Sequence, residues 1–113
     1  MKRFLISFDD GAMADLSEEE LREAGVDSHK VVAEAKKAGV WVFGAGLPSQ
    51  RASIVATDGT VAEGPDPETK TAIGGFSIIE VPSREEALRW AAEIAAACRC
   101  AQEVRELFYD PES

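Results

Sequence analysis

The sequence predicts an α+β domain, an antiparallel sheet with two helices on one face. Three observations carry that expectation. Two serine-led starts, Ser17-Glu18-Glu19-Glu20 and Ser83-Arg84-Glu85-Glu86, each open a stretch with helical spacing. Short runs of alternating or clustered apolar residues surround them, most clearly at residues 2–8 and 73–81. Asp58-Gly59, set between two further β-like runs, marks a tight hairpin.

Taken in order, residues 2–8 place Phe4, Ile6 and Phe8 on one face of a first strand. In the first capping box the Ser17 hydroxyl meets the Glu20 amide and the Glu20 carboxylate reaches back, while three acids in the first turn suit the helix dipole. Gly25 weakens this helix and Asp27-Ser28 offers a second start. Val31, Val32, Ala35 and Ala38 form its apolar stripe, Lys36 and Lys37 favour its last turn, and Gly39 ends it. Residues 40–47 read as a strand with apolar side chains on both faces, so cover on both sides is expected, and Gly44 and Gly46 as a bulge. Residues 52–57 and 60–62 flank the hairpin turn. A polar, proline-rich loop then feeds the strand at 73–81, which Pro82 stops. Ala87, Leu88, Ala91, Ile94 and Ala95 are the buried stripe of the second helix, and residues 101–107 the last strand.

This order is a ferredoxin-like βαββαβ unit with an extra β-hairpin extension. Its 113 residues suit one domain, residues 1–109, with 110–113 as a tail. Two helices cover one face of such a sheet and leave aromatic and aliphatic side chains on the other. A second copy packed sheet to sheet is the simplest cover, so a homodimer with a barrel-like enclosure is expected.

Composition excludes several function classes. A formal net charge of −9 opposes non-specific nucleic-acid binding and docking on anionic lipid. No apolar run approaches a membrane span, so neither nucleic acid nor membrane is expected as a partner. Met1-Lys2-Arg3-Phe4-Leu5-Ile6 starts like an export leader, but Asp9 and Asp10 cut it short, and a cytoplasmic location is expected. Cys98 and Cys100 are too close in sequence for a comfortable mutual disulfide and fit a reducing compartment. With a single histidine, the chain lacks a zinc-type ligand set, so no metal and no organic cofactor are expected.

The loop and strand Glu63-Gly64-Pro65-Asp66-Pro67-Glu68-Thr69-Lys70 and Gly74-Gly75-Phe76 resemble the YCII-related family, in the branch named for the motif Asp-Gly-Pro-Phe-Ala-Glu-Thr-Lys-Glu. Gly64, Pro65, Glu68, Thr69 and Lys70 match that motif in register. Val81, Glu86-Ala87-Leu88, Trp90-Ala91, Ala38-Gly39-Val40 and Gly44-Ala45-Gly46-Leu47 extend the likeness over nearly the whole chain. The resemblance implies a ferredoxin-like fold in a dimeric α+β barrel. It also implies a His–Asp active centre and elimination or related chemistry on small, often aromatic, molecules. Glu63, Asp66 and Thr71 depart from the motif's Asp, Phe and closing Glu. His29 falls one residue from the family's usual histidine, about 100° around a helix.

The candidate dyad is therefore His29 with Glu63: an imidazole beside a carboxylate moves protons near neutral pH. Asp66, Lys70, Trp41 and Phe76 are the candidate ligand contacts. Each has a plainer reading. His29 sits at the wet edge of a helix, Glu63 and Asp66 hold a proline turn, Lys70 pairs with Glu68, and Trp41 and Phe76 belong to a core or dimer interface. Two functions follow: an enzyme-like protein acting on a small organic molecule in a dimer pocket by His–carboxylate proton transfer, or a non-catalytic ligand-binding or regulatory module.

Overall fold

The computed structural model describes residues 1–65 and 72–113. Strand β1 (Lys2–Asp9) is followed by helix α1 (Glu18–Lys37), β2 (Trp41–Gly46), β3 (Ser53–Val55), β4 (Val61–Glu63), β5 (Ile73–Val81), α2 (Arg84–Cys98) and β6 (Glu103–Glu106). Four strands form one antiparallel sheet in the order β2-β5-β1-β6, the ferredoxin-like arrangement. Strands β3 and β4 pair with each other as a separate two-stranded ribbon.

Local chemistry explains the boundaries. The Ser17 hydroxyl accepts the Glu20 amide at 3.1 Å, and the Glu20 carboxylate accepts the Ser17 amide at 3.0 Å, so the first capping box is complete. Helix α1 then runs through Gly25 without a second start; the Ser28 hydroxyl donates back to the Gly25 carbonyl at 3.0 Å instead of capping a new helix. Gly39, at φ +76°, turns the chain out of α1 in the left-handed conformation that glycine adopts at no steric cost. At α2 the Ser83 hydroxyl accepts the Glu86 amide at 3.3 Å, a simple N-cap without the reciprocal bond.

Side-chain alternation sorts the sheet into two faces. Phe4 and Ile6 of β1 and Ile79 and Val81 of β5 are fully buried on the helix side. They pack under Ala87, Ala91 and Ile94 of α2, whose small residues let the helix seat closely. From α1 only Ala24 and Ala35 are fully buried, with Val31 packed at the margin of the core. The opposite face carries Leu5, Phe76 and Ile78, half-buried, and Phe43, 57% exposed, with the Phe43 and Phe76 rings 5.9 Å apart. The ion pairs Arg3–Glu80 and Arg105–Glu103 lie at the margins of this face, each at 2.8 Å.

Strand β2 differs from expectation. It is an edge strand whose Val42 and Phe43 are exposed in the single chain. Its irregularity falls between Trp41 and Phe43, ahead of the glycines. Gly44 serves another purpose: a Cβ there would come within 2.7 Å of the Trp41 ring, so the missing side chain lets that indole lie against the sheet. Along β5, Gly74 stands opposite the register shift at Phe8/Asp9, where a Cβ would meet the Asp9 carbonyl at 2.8 Å. Because that obstacle is backbone, Gly74→Ala is expected to destabilise the domain by about 1–3 kcal/mol; the shift in chemical-denaturation midpoint measures it, and an unchanged midpoint would refute the close-packing account.

Candidate functional site

Helix α1 lies over the β2 side of the sheet without sealing against it. Leu21, Gly25, Ser28, His29, Val32 and Lys36 recur at three- and four-residue spacing along the face of α1 beside its core stripe. Beneath them is a cavity of about 410 Å³, floored by Trp41, Gly44 and Ser77 of the sheet and closed at the α2 end by Ile94 and Cys98. Small residues make the room: Ala24, Gly25 and Ser28 on the helix and Gly44 and Gly46 on β2 fill little of the gap. Arg99 pins the two helices beside it. It occupies the left-handed C-cap of α2 at φ 57° and reaches the Asp27 carboxylate of α1 at 3.0 Å while also donating to the Ala97 carbonyl.

The structure brings three of the sequence-predicted site residues to this crevice. His29 is on its helical wall, Trp41 on its floor, and Phe76 borders it while its ring packs against Phe43. Glu63 is elsewhere: it ends β4 on the exposed two-stranded ribbon, and no hydrogen bond or ion pair joins it to His29. Asp66 and Lys70, with the rest of the 66–71 segment of the motif, lie outside the described residues.

Sequence reasoning missed Ser28, Lys36, Ser77, Cys98 and Gln102 as crevice residues. The signal for those on α1 was a second stripe, at 21, 25, 28/29, 32 and 36, displaced from the stripe that meets the core. Cys98 and Gln102 carried none, because their approach to α1 is purely tertiary. A second cavity of about 550 Å³ lies between the start of β1 and the C-terminal tail, beside Arg3, Glu106, Phe108 and Tyr109. It holds none of the predicted site residues.

Both thiols are shifted upward. Burial raises Cys98, with its neighbour Cys100 adding to the effect and Arg99 opposing it. Burial also raises Cys100, partly offset by the Gln102 amide, 3.5 Å from its sulfur. Among the described residues no group of three or more His, Cys, Asp or Glu is placed to hold a metal, and no helix is long and apolar enough to cross a membrane.

Comparison with known families matches the YCII-related domain over residues 4–108. No curated protein matches the chain.

The thiol shifts set a pH dependence. A thiol that keeps its proton to higher pH when folded than when unfolded stabilises the fold below the unfolded value, and that contribution is lost as pH rises through the folded value. Alkylation of Cys98 and Cys100 by iodoacetamide is therefore expected to be slow at pH 7.5, to accelerate at a higher pH than in the urea-unfolded chain, and to coincide with falling stability above about pH 8.5. Equal pH profiles for the folded and unfolded chains would contradict the burial of these thiols.

Proposed function

Since the chain belongs to the YCII-related family, we propose that it works as a homodimer that binds a small organic molecule in the crevice beneath α1 and exchanges a proton with it through His29. The observation that carries this reading is the position of His29, the sole histidine, on the wall of an apolar-lined cavity. Its volume, about 410 Å³, lies within the ordinary range for small-molecule sites.

In this reading the imidazole removes a proton from the carbon beside the one that bears the ligand's leaving group. The freed C–H electron pair forms a C=C bond as the bond to the leaving group breaks, and the protonated imidazole hands its proton to the departing anion or to water. Trp41 supplies a flat apolar wall that orients the molecule. Glu63 takes the part of the orienting carboxylate only when the β3–β4 ribbon carries it toward the crevice; Asp66 and Lys70 are suggested as ligand contacts by the motif resemblance alone, since both lie outside the described residues. No metal or organic cofactor enters the scheme. The second copy covers the open sheet face of Phe43, Phe76, Leu5 and Ile78.

A non-catalytic binding or regulatory module is the second reading. The position of Glu63 on the ribbon favours it, because an imidazole without a carboxylate partner binds and donates hydrogen bonds but loses the group that would fix its tautomer.

A thermal-shift screen of small phenols, enols and halogenated carboxylic acids tests the site, since a ligand that binds only the folded chain raises its melting temperature. The expected outcome is at least one compound that stabilises the wild type, is consumed by it, and is bound but not consumed by His29→Ala. Stabilisation without consumption by either protein selects the binding module. A ligand whose stabilisation survives Val32→Trp, a substitution that fills the crevice, would place the site elsewhere.

A further inference from the structure

The β3–β4 ribbon is held at both ends and bare along its length. At its root the Leu47 amide donates to the Gly74 carbonyl and the Ser49 hydroxyl to the Asp10 carboxylate, each at 2.9 Å. At its tip the Asp58 carboxylate accepts both the amide and the hydroxyl of Thr60, and Gly59 turns the chain at φ +88°. Between these points β3 and β4 pair with each other, apart from the main sheet, and every residue from 51 to 63 is exposed.

The exposed residues do not have the composition of a wetted surface. Residues 52–62 carry one charged side chain, Asp58, in a chain of which 29% is charged. The register sets Val55 against Val61 on one face and Ile54 against Ala62 on the other, so both faces are apolar. Ile54, Val55 and Val61 are 51%, 65% and 67% exposed. A two-stranded ribbon on its own is marginal in water, and an apolar strand edge without Lys or Pro is open to association. Apolar side chains with charge removed are what the centre of a protein interface carries.

Shape and area point to the partner. The radius of gyration is 15.6 Å, against about 13 Å for a compact chain of this length. The chain spans 42 × 42 × 18 Å, a plate that holds one sheet and one helix layer in its thin direction. A ribbon some 20 Å long standing upright would break that thinness, so it widens the plate sideways. The open face of the four-stranded sheet covers roughly 400 Å², about half of the 800 Å² per partner that a stable interface buries. Two copies that each carry a formal net charge of −9 repel, and they meet at least cost where charges are few. The ribbon offers such a surface next to the sheet.

Resting on the homodimer proposed above, we propose that the β3–β4 ribbon is a docking arm for a second copy of this chain, with Ile54, Val55 and Val61 laid on that copy beside the sheet-to-sheet contact. The arm supplies area that the sheet face lacks, and its own two strands gain the cover that a free ribbon needs.

The double variant Val55→Thr/Val61→Thr keeps the branched shape and strand preference of these exposed positions while removing their apolar surface. Sedimentation velocity over a dilution series is expected to show it dimerising about tenfold more weakly than the wild type, with an unchanged far-ultraviolet circular dichroism spectrum. In wild-type dimers mixed from carbon-13-labelled and unlabelled chains, isotope-filtered NOEs are expected to run from the methyl groups of Ile54, Val55 and Val61 to the unlabelled copy. Absence of that transfer in a dimer, or dimerisation untouched by the double variant, would overturn the arm and leave the sheet-to-sheet homodimer standing. A wild-type chain that is monomeric throughout the series would overturn both.

Discussion

Everything in this fold depends on a sheet with apolar residues on both faces and helices on only one. Phe4, Ile6, Ile79 and Val81 are completely buried on the helix side, and they are the largest side chains so enclosed. On the other side Leu5, Phe43, Phe76 and Ile78 form an apolar patch bounded by two ion pairs. Fully burying a large apolar side chain is worth about 1.5–3 kcal/mol, so the half-buried Leu5, Phe76 and Ile78 and the exposed Phe43 each still have roughly 1 kcal/mol to gain. Association itself costs about 4–15 kcal/mol. Set against that cost, this patch is the surface that the second copy proposed above would cover in an isologous interface.

The two helices share the covered face unequally, and that inequality creates the crevice. Helix α2 approaches closely because Ala87 and Ala91 face the sheet, and Ile94 fills the space left beside them. Helix α1 presents Ala24, Gly25 and Ser28 to a strand that itself offers Gly44 and Gly46, so small groups face small groups across a gap. Glycine at position 44 is what leaves space for the Trp41 ring, two of whose atoms would lie 2.7 Å from a Cβ there. Arg99, at the end of α2, reaches across to the Asp27 carboxylate of α1 beside the crevice. The features that would weaken a simple core, a mid-helix glycine and a glycine-rich edge strand, are the ones that leave room for a ligand.

The fold was far more legible in the sequence than the site. Capping chemistry is local, so Ser17 with Glu20 placed the start of α1 near Ser17, and Pro82 and Ser83 located the junction of β5 and α2. The 73–81 strand was equally plain because its apolar run lies between a polar loop and a proline. Edge against centre was not legible: the apolar content of β2 suggested cover on both faces, whereas its place in the sheet is set by pairing with β5 alone. For the site, His29 and Trp41 were identifiable as reactive and aromatic residues, but their meeting across the gap depends on how far α1 stands off the sheet. Pairing His29 with Glu63 rested on motif chemistry, and the separate pairing of β3 with β4 keeps Glu63 on a ribbon of its own.

The oligomeric state tests this account most directly. Sedimentation velocity of the wild-type chain at 5–50 μM, roughly the range in which an interface of this kind assembles, is expected to give a single species of twice the 12.1 kDa chain mass. Phe43→Asp, which places a charge in the middle of the apolar patch, is expected to give a folded monomer. A wild-type chain that stays monomeric across that range would contradict the proposal that a partner copy covers the second apolar face of the sheet.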